Sequence, residues 1–161
     1  MIDITDTKRQ NKEALRYILN YYDLKKAYRE ALQSVSLLGA TRTDDTPHGT
    51  GIGNPTMHKA FKLLDIDKQH QWIGAVEMME NTLTIKERKF LELRRQAEIN
   101  SFYHHTQGRP GWVGYVQYHY ADWYYNSYHK NYIPSRNTMI MWMNLIVEKT
   151  VRVAISKGCF N

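Results

Sequence analysis

Cysteine is almost missing from this chain of 161 residues, which carries only Cys159. A lone thiol excludes an intramolecular disulfide, argues against a thiolate metal cage and fits a reducing compartment. Long apolar runs are missing as well. None approaches the roughly 18 uninterrupted apolar residues of a membrane span, and the opening "MIDITDTKRQNKE" lacks the apolar core of a signal peptide. A soluble cytoplasmic protein with no membrane partner is therefore expected. Sustained period-two alternation is nowhere found, so the expected fold is all-α. No Ser/His/Asp order, nucleophile elbow or pair of carboxylates in an apolar setting can be identified, and no enzyme is expected. Gly49, Gly51 and Gly53 have no strand before them and no Gly-Lys-Ser/Thr after them, which removes a phosphate-binding loop. His104, His105, His119 and His129 form no carboxylate-linked i, i+4 pair, so no metal or cofactor is expected.

Acidic residues are scarce in one half only. Residues 1–83 hold 11 Lys/Arg and 11 Asp/Glu, whereas residues 84–161 hold 11 Lys/Arg and 5 Asp/Glu, which places the whole net charge of +6 in the second half. Clustered cations reward contact with a phosphate backbone because each neutralised phosphate releases condensed counterions. A basic solvated surface with no polyanion partner is the plainer alternative.

What is present reads as capped helices. From about Thr7 to Leu38, Ala14, Tyr17, Tyr21, Leu24, Tyr28, Ala31, Val35 and Leu38 alternate steps of three and four, a heptad seam. Such a stripe packs either on a helix of the same chain or on a second copy in a homodimer. "GATRTDDTPHGTGIGNPT", residues 39–56, is a loop. Met57, Phe61, Leu64, Trp72, Val76 and Met79 then mark one long or two shorter helices ending near Asn81. "TIKE" at 84–87 is a capping box. In the helix it opens, Leu83, Phe90 and Leu91 are expected inside, with Lys86, Lys89, Arg94 and Arg95 outside. Trp112, Val116, Tyr120 and Trp123 mark a further helix, and the last runs from Ser135 to about Lys157 with Gly158 as its cap. The chain divides into an N-terminal helical or oligomerising region, 1–82, and a C-terminal helix-turn-helix region, 83–161.

The last helix carries the candidate site. Pro134 blocks a helix arriving from upstream and Ser135 suits an N-cap. With Met139 pointing inward, Trp142, Met143, Ile146, Thr150 and Val153 share its face, while Asn137, Met141, Asn144 and Glu148 point the opposite way. Asparagine pairs bidentately with adenine, and Arg136 and Thr138 at the positive helix end suit phosphates or a guanine edge. A recognition helix is built this way, so Ser135, Arg136, Asn137, Thr138, Met141 and Asn144, with Lys130 ahead of them, are the expected DNA-binding residues. A buried hairpin helix is the alternative, to which Ile140 and Leu145 lend weight.

"LTIKERKFLELRRQAE" resembles the first helix of sigma-factor region-four domains, through Leu83, Glu87, Arg88, Leu91, Leu93 and Arg94. "IPSRNTMIMWMNLIVEKTVRVAISKG" is similar to the recognition helix of ArpU/RinA-type phage transcriptional regulators, and "GIGNPTMHKAFKLLD" resembles their linker and following helix. The resemblance implies a phage or prophage late-gene activator in a bacterial host. It would bind double-stranded promoter DNA, contact RNA polymerase and start its reading helix at Ser135 to Thr138. The chain departs from that pattern in a long aromatic segment. Residues 103–132 hold eight of the twelve tyrosines and two of the four tryptophans. These rings suit stacking on opened nucleic acid beside Lys130, His119 and Arg109, or a half-buried supporting helix. Two other functions stay open, a small terminase subunit and a helical protein-interaction adaptor.

Overall fold

A computed structural model describes residues 4–40, 55–100 and 111–160, and the side chains of all of these except 38–40 and 55–61. The described residues form six helices and no strand: α1 (Ile4–Leu19), α2 (Tyr21–Ala40), α3 (Pro55–Asn81), α4 (Ile85–Ile99), α5 (Gly111–Tyr128) and α6 (Arg136–Ser156). The all-α expectation holds. Among them no helix is long and apolar enough to cross a membrane. Most of the loop expected at 39–56, together with His104, His105 and Arg109, lies outside the described residues, as do the side chains of Leu38, Met57 and Phe61.

The heptad seam bends at Asn20. Both the backbone N–H and the side-chain amide of Asn20 donate to the Arg16 carbonyl, at 3.1 and 3.0 Å, so the side chain competes for the helical acceptor. Before the bend, Glu13 pairs with Lys68 and Tyr17 stacks on Trp72 of α3, with ring centroids 4.5 Å apart and 2° between planes. Tyr21 then donates to Glu77 at 2.6 Å, and Tyr28 meets His70 at 3.0 Å. The partners on α3 climb from Lys68 through Trp72 to Glu77, which Tyr21 and Lys25 share, and then descend to His70, so the direction along α3 reverses beyond Asn20, between Tyr21 and Tyr28. The seam is thus covered by the chain's own α3, while Tyr22, Leu32 and Leu37 on the outer side of α2 are exposed.

On α3, Trp72, Val76 and Met79 are fully buried as expected, but Leu64 is 65% exposed. It falls outside the stripe made by Ile66, Ile73 and Val76, which are the residues facing the core. α6 packs against both α1 and α3, and α4 against α5. One buried cluster consequently runs from Ala14 through Trp72, Phe90 and Tyr120 to Ala154 and Cys159.

Arg94 and Arg95 correct the expected outer face of α4. They are only 7% and 5% exposed. Arg94 lies over the Trp112 ring and pairs with Glu98. Arg95 pairs with Glu80, donates Nε–H to the Ile18 carbonyl at 2.7 Å and sits over Tyr21 and Tyr22. A guanidinium offers five donors and an apolar flat face, so it can be buried where acceptors and rings surround it.

Candidate nucleic-acid interface

The start of α6 is fixed by local chemistry. Ser135 has extended backbone angles (φ −71°, ψ 157°), and its Oγ accepts from the Thr138 N–H at 3.1 Å. The Ser135 and Thr138 hydroxyls also bond each other at 2.8 Å, and the Met139 N–H closes the first turn on the Ser135 carbonyl at 3.0 Å. Pro134 is buried ahead of the cap, and its carbonyl accepts from the Gln117 side chain of α5 at 2.9 Å. The helix entry is therefore pinned from two sides. At the far end Gly158 adopts φ 74°. Its N–H bonds to Ile155 at 3.1 Å and that of Cys159 to Ala154 at 2.9 Å, a Schellman closure with Cys159 tucked inside.

Trp142 holds the N-terminal half of α6 in place. Its ring meets Phe90 of α4 edge-on, centroids 5.3 Å apart, and Tyr120 of α5 at 5.5 Å. Behind it Met139, Met143, Ile146, Val147 and Thr150 are buried, and Thr150 Oγ1 donates to the Ile146 carbonyl at 2.8 Å. Lys149 reaches Glu87 of α4 at 3.4 Å.

The opposite face is open. Ser135, Arg136, Asn137, Met141 and Asn144 are all exposed, and Thr138, whose hydroxyl serves the cap, is half-buried. Residues 123–147 contain no Asp or Glu, so the first three turns of α6 carry no negative side chain. Glu148, the next acid, is paired with Arg152 one turn on. Lys89, Arg94, Arg95, Lys149 and Arg152 are taken up in ion pairs, whereas Lys130 and Arg136 have none among the described residues. The expected site residues of α6 therefore lie within its cap and first three turns, exposed except for half-buried Thr138, and Lys130 lies on the connector leading to it.

Two features escaped the sequence. Residues 129–135 connect α5 to α6, a longer link than the three- or four-residue turn of a helix-turn-helix. His129 sits there at φ 53°, and its N–H bonds back to Tyr125 at 2.8 Å. Lys86, on the first turn of α4, lies over the rings of Tyr124 and Tyr128 at 5.2 and 5.1 Å, because packing brings α4 beside the end of α5. Ile140 and Leu145, whose position off the inward face was legible, are exposed beside Met141 and enlarge the open face. An open groove along α5 is lined by Gly114, Gln117, Tyr118, Ala121, Asp122 and Ile133. Below, Tyr120 is buried, and desolvation first, then the neighbouring Tyr132, Tyr124 and Tyr128, push its hydroxyl up to about 12. Among the described residues no group of three or more His, Cys, Asp or Glu is placed to hold a metal ion.

Comparison with known proteins adds no relative: no family model, curated protein or solved structure matches the chain.

Proposed function

We propose that this chain is a sequence-specific DNA-binding transcriptional regulator that enters the major groove of duplex DNA with the first turns of α6. The observation that carries this reading is the exposed, acid-free face that begins at the Ser135 cap. There the positive end of the helix dipole coincides with Arg136, which has no ion-pair partner among the described residues, and with exposed Asn137, and a second exposed carboxamide, Asn144, follows two turns on. In this reading Arg136 and Lys130 contact phosphates, Ser135 and Thr138 set the helix end against the backbone, and Asn137, Met141 and Asn144 meet base edges. The seven residues of the connector depart from a helix-turn-helix turn, and α6 rests on α1 and α3, with Phe90 of α4 and Tyr120 of α5 against Trp142 in its N-terminal half. Late-gene activation in a phage or prophage follows from the resemblance to ArpU/RinA-type regulators, and contact with bacterial RNA polymerase from that of residues 83–98 to sigma region four; both belong to the same proposal. A homodimer on two half-sites would use the outer face of α2, since α3 covers the seam.

Exposed Tyr118, Ile133, Ile140, Met141 and Leu145 favour a second reading, an adaptor that docks a protein. Titration of the full chain with duplex DNA separates the two. A DNA reader binds with an affinity that falls steeply as salt rises. Arg136→Ala should weaken all sequences alike and lower the salt slope by about 1. Duplex affinity that is absent, or indifferent to salt, would leave the adaptor. Transcription from a bound promoter by purified polymerase then distinguishes a regulator from a packaging subunit.

A further inference from the structure

The outward face of α6 has a narrow chemical vocabulary. At 100° per residue, Asn144 lies about 20° from Asn137 on one side and Met141 about 40° on the other. Ile140 and Leu145 flank this centre about 60° and 80° away, and Arg136 stands off it by about 100°. Met141 and Leu145 are 54% and 49% exposed, and Ile140 is exposed with them. The face thus offers two carboxamides, three apolar side chains and one guanidinium at its rim, with no carboxylate before Glu148.

We infer that this face reads an A·T-rich half-site, in which Asn137 and Asn144 each take an adenine and Met141, Ile140 and Leu145 cover thymine methyl groups. The inference rests on the DNA-binding reading above and specifies its substrate. A carboxamide presents one donor and one acceptor side by side, which matches the N7 acceptor and N6 donor of adenine. Apolar side chains gain only from the C5-methyl of thymine. Against a guanine or cytosine edge they would cover donors and acceptors without pairing them, which is unfavourable. Seven residues of α-helix rise about 10.5 Å. Asn137 and Asn144 therefore reach positions about three base pairs apart at about 3.4 Å per step. Arg136, the one group suited to guanine, is at the edge of the face, where phosphate is nearer. Charge favours a nucleic acid as the occupant of this apolar surface, because Arg136 stands at its rim and Lys130 lies on the connector before it, neither with an ion pair among the described residues, and Glu148, the first acid of α6, is paired with Arg152.

The test selects sites for the full chain from a random duplex pool and then titrates the winner by fluorescence anisotropy. The expected site is dominated by A·T pairs, with two specified adenines about three base pairs apart. Replacing thymine by uracil, which removes only the methyl, should weaken binding about fourfold per contacted position. Asn144→Ala should cost about 5- to 150-fold on the selected site and relax the preference for one adenine. A G·C-dominated site, equal affinity for uracil and thymine duplexes, or binding without sequence preference overturns the inference while leaving DNA binding intact. A chain that binds no duplex overturns both.

Discussion

Trp142 and Phe90 meet edge-on across α6 and α4, their ring planes 72° apart. This contact, with the Tyr120 ring of α5 also against the indole, ties the N-terminal half of α6 to α4 and α5, while α1 and α3 pack along the helix. Trp142→Ala removes the shared ring from three helices, although Trp142 is only half-buried. The expected loss is about 3 kcal/mol, at the lower end for an aromatic deletion, read from urea unfolding. Trp142→Phe should recover most of it.

The cap and the open face should separate cleanly. Ser135→Ala is expected to cost about 1 kcal/mol through loss of the bond to the Thr138 N–H, and Ser135→Asp to keep it. Asn137→Ala, at an exposed position with no packing, should change stability by less than about 0.5 kcal/mol. Melting curves of the three variants decide. A large loss in Asn137→Ala would show that the face is structural.

Arg95 is the buried cation on which α1, α3 and α4 converge, through the Ile18 carbonyl and Glu80. Arg95→Ala leaves both acceptors without their partner in a dry site, an expected loss of about 3 kcal/mol. Arg95→Lys keeps the charge but not the fork, and should recover only part. A variant as stable as the parent in denaturant titration would mean that water replaces the guanidinium.

Tyr120 gives the fold an alkaline limit. Its hydroxyl titrates at about 12 in the folded chain against 10.0 ordinarily, because burial disfavours the phenolate. A pKa raised on folding means that the stability is fully present below pH 10 and is lost as pH rises through 12. Burial also raises Tyr17 and Tyr21, so tyrosinate absorbance should show several late groups, one of which is lost in Tyr120→Phe, and that variant's unfolding midpoint should be less sensitive to alkali. At the acid end, Glu77 is held below its usual range by Lys25 first and Tyr21 second. That contribution is present above the ordinary glutamate range and fades as pH falls through the lowered value.

Helix ends were legible because caps are local. Ser135, Thr84 and Gly158 each act within a few residues, and each lies where its sequence context placed it. The inward face of α6 was legible for the same reason, being fixed by periodicity alone. The bend at Asn20 was not, since the spacing of three and four continues through Tyr17, Tyr21 and Leu24 while the partner residues on α3 reverse. Nor was the burial of Arg94 and Arg95. An arginine on a helix reads as solvated until the carbonyl of Ile18 and the ring of Trp112 are known to face it. The same holds for the candidate site. Its residue types could be read, but their freedom from ion pairs depends on which cations the fold consumes elsewhere.

The division of α6 into an inner face locked by Trp142, Met139, Met143 and Ile146 and an outer face open to solvent at Asn137, Met141 and Asn144 has a practical corollary. Positions 137, 141 and 144 can be varied together as a combinatorial library at exposed sites, where most substitutions change stability little. Selection on such a library would sample recognition alone, making the helix an interchangeable reading head on a constant chassis.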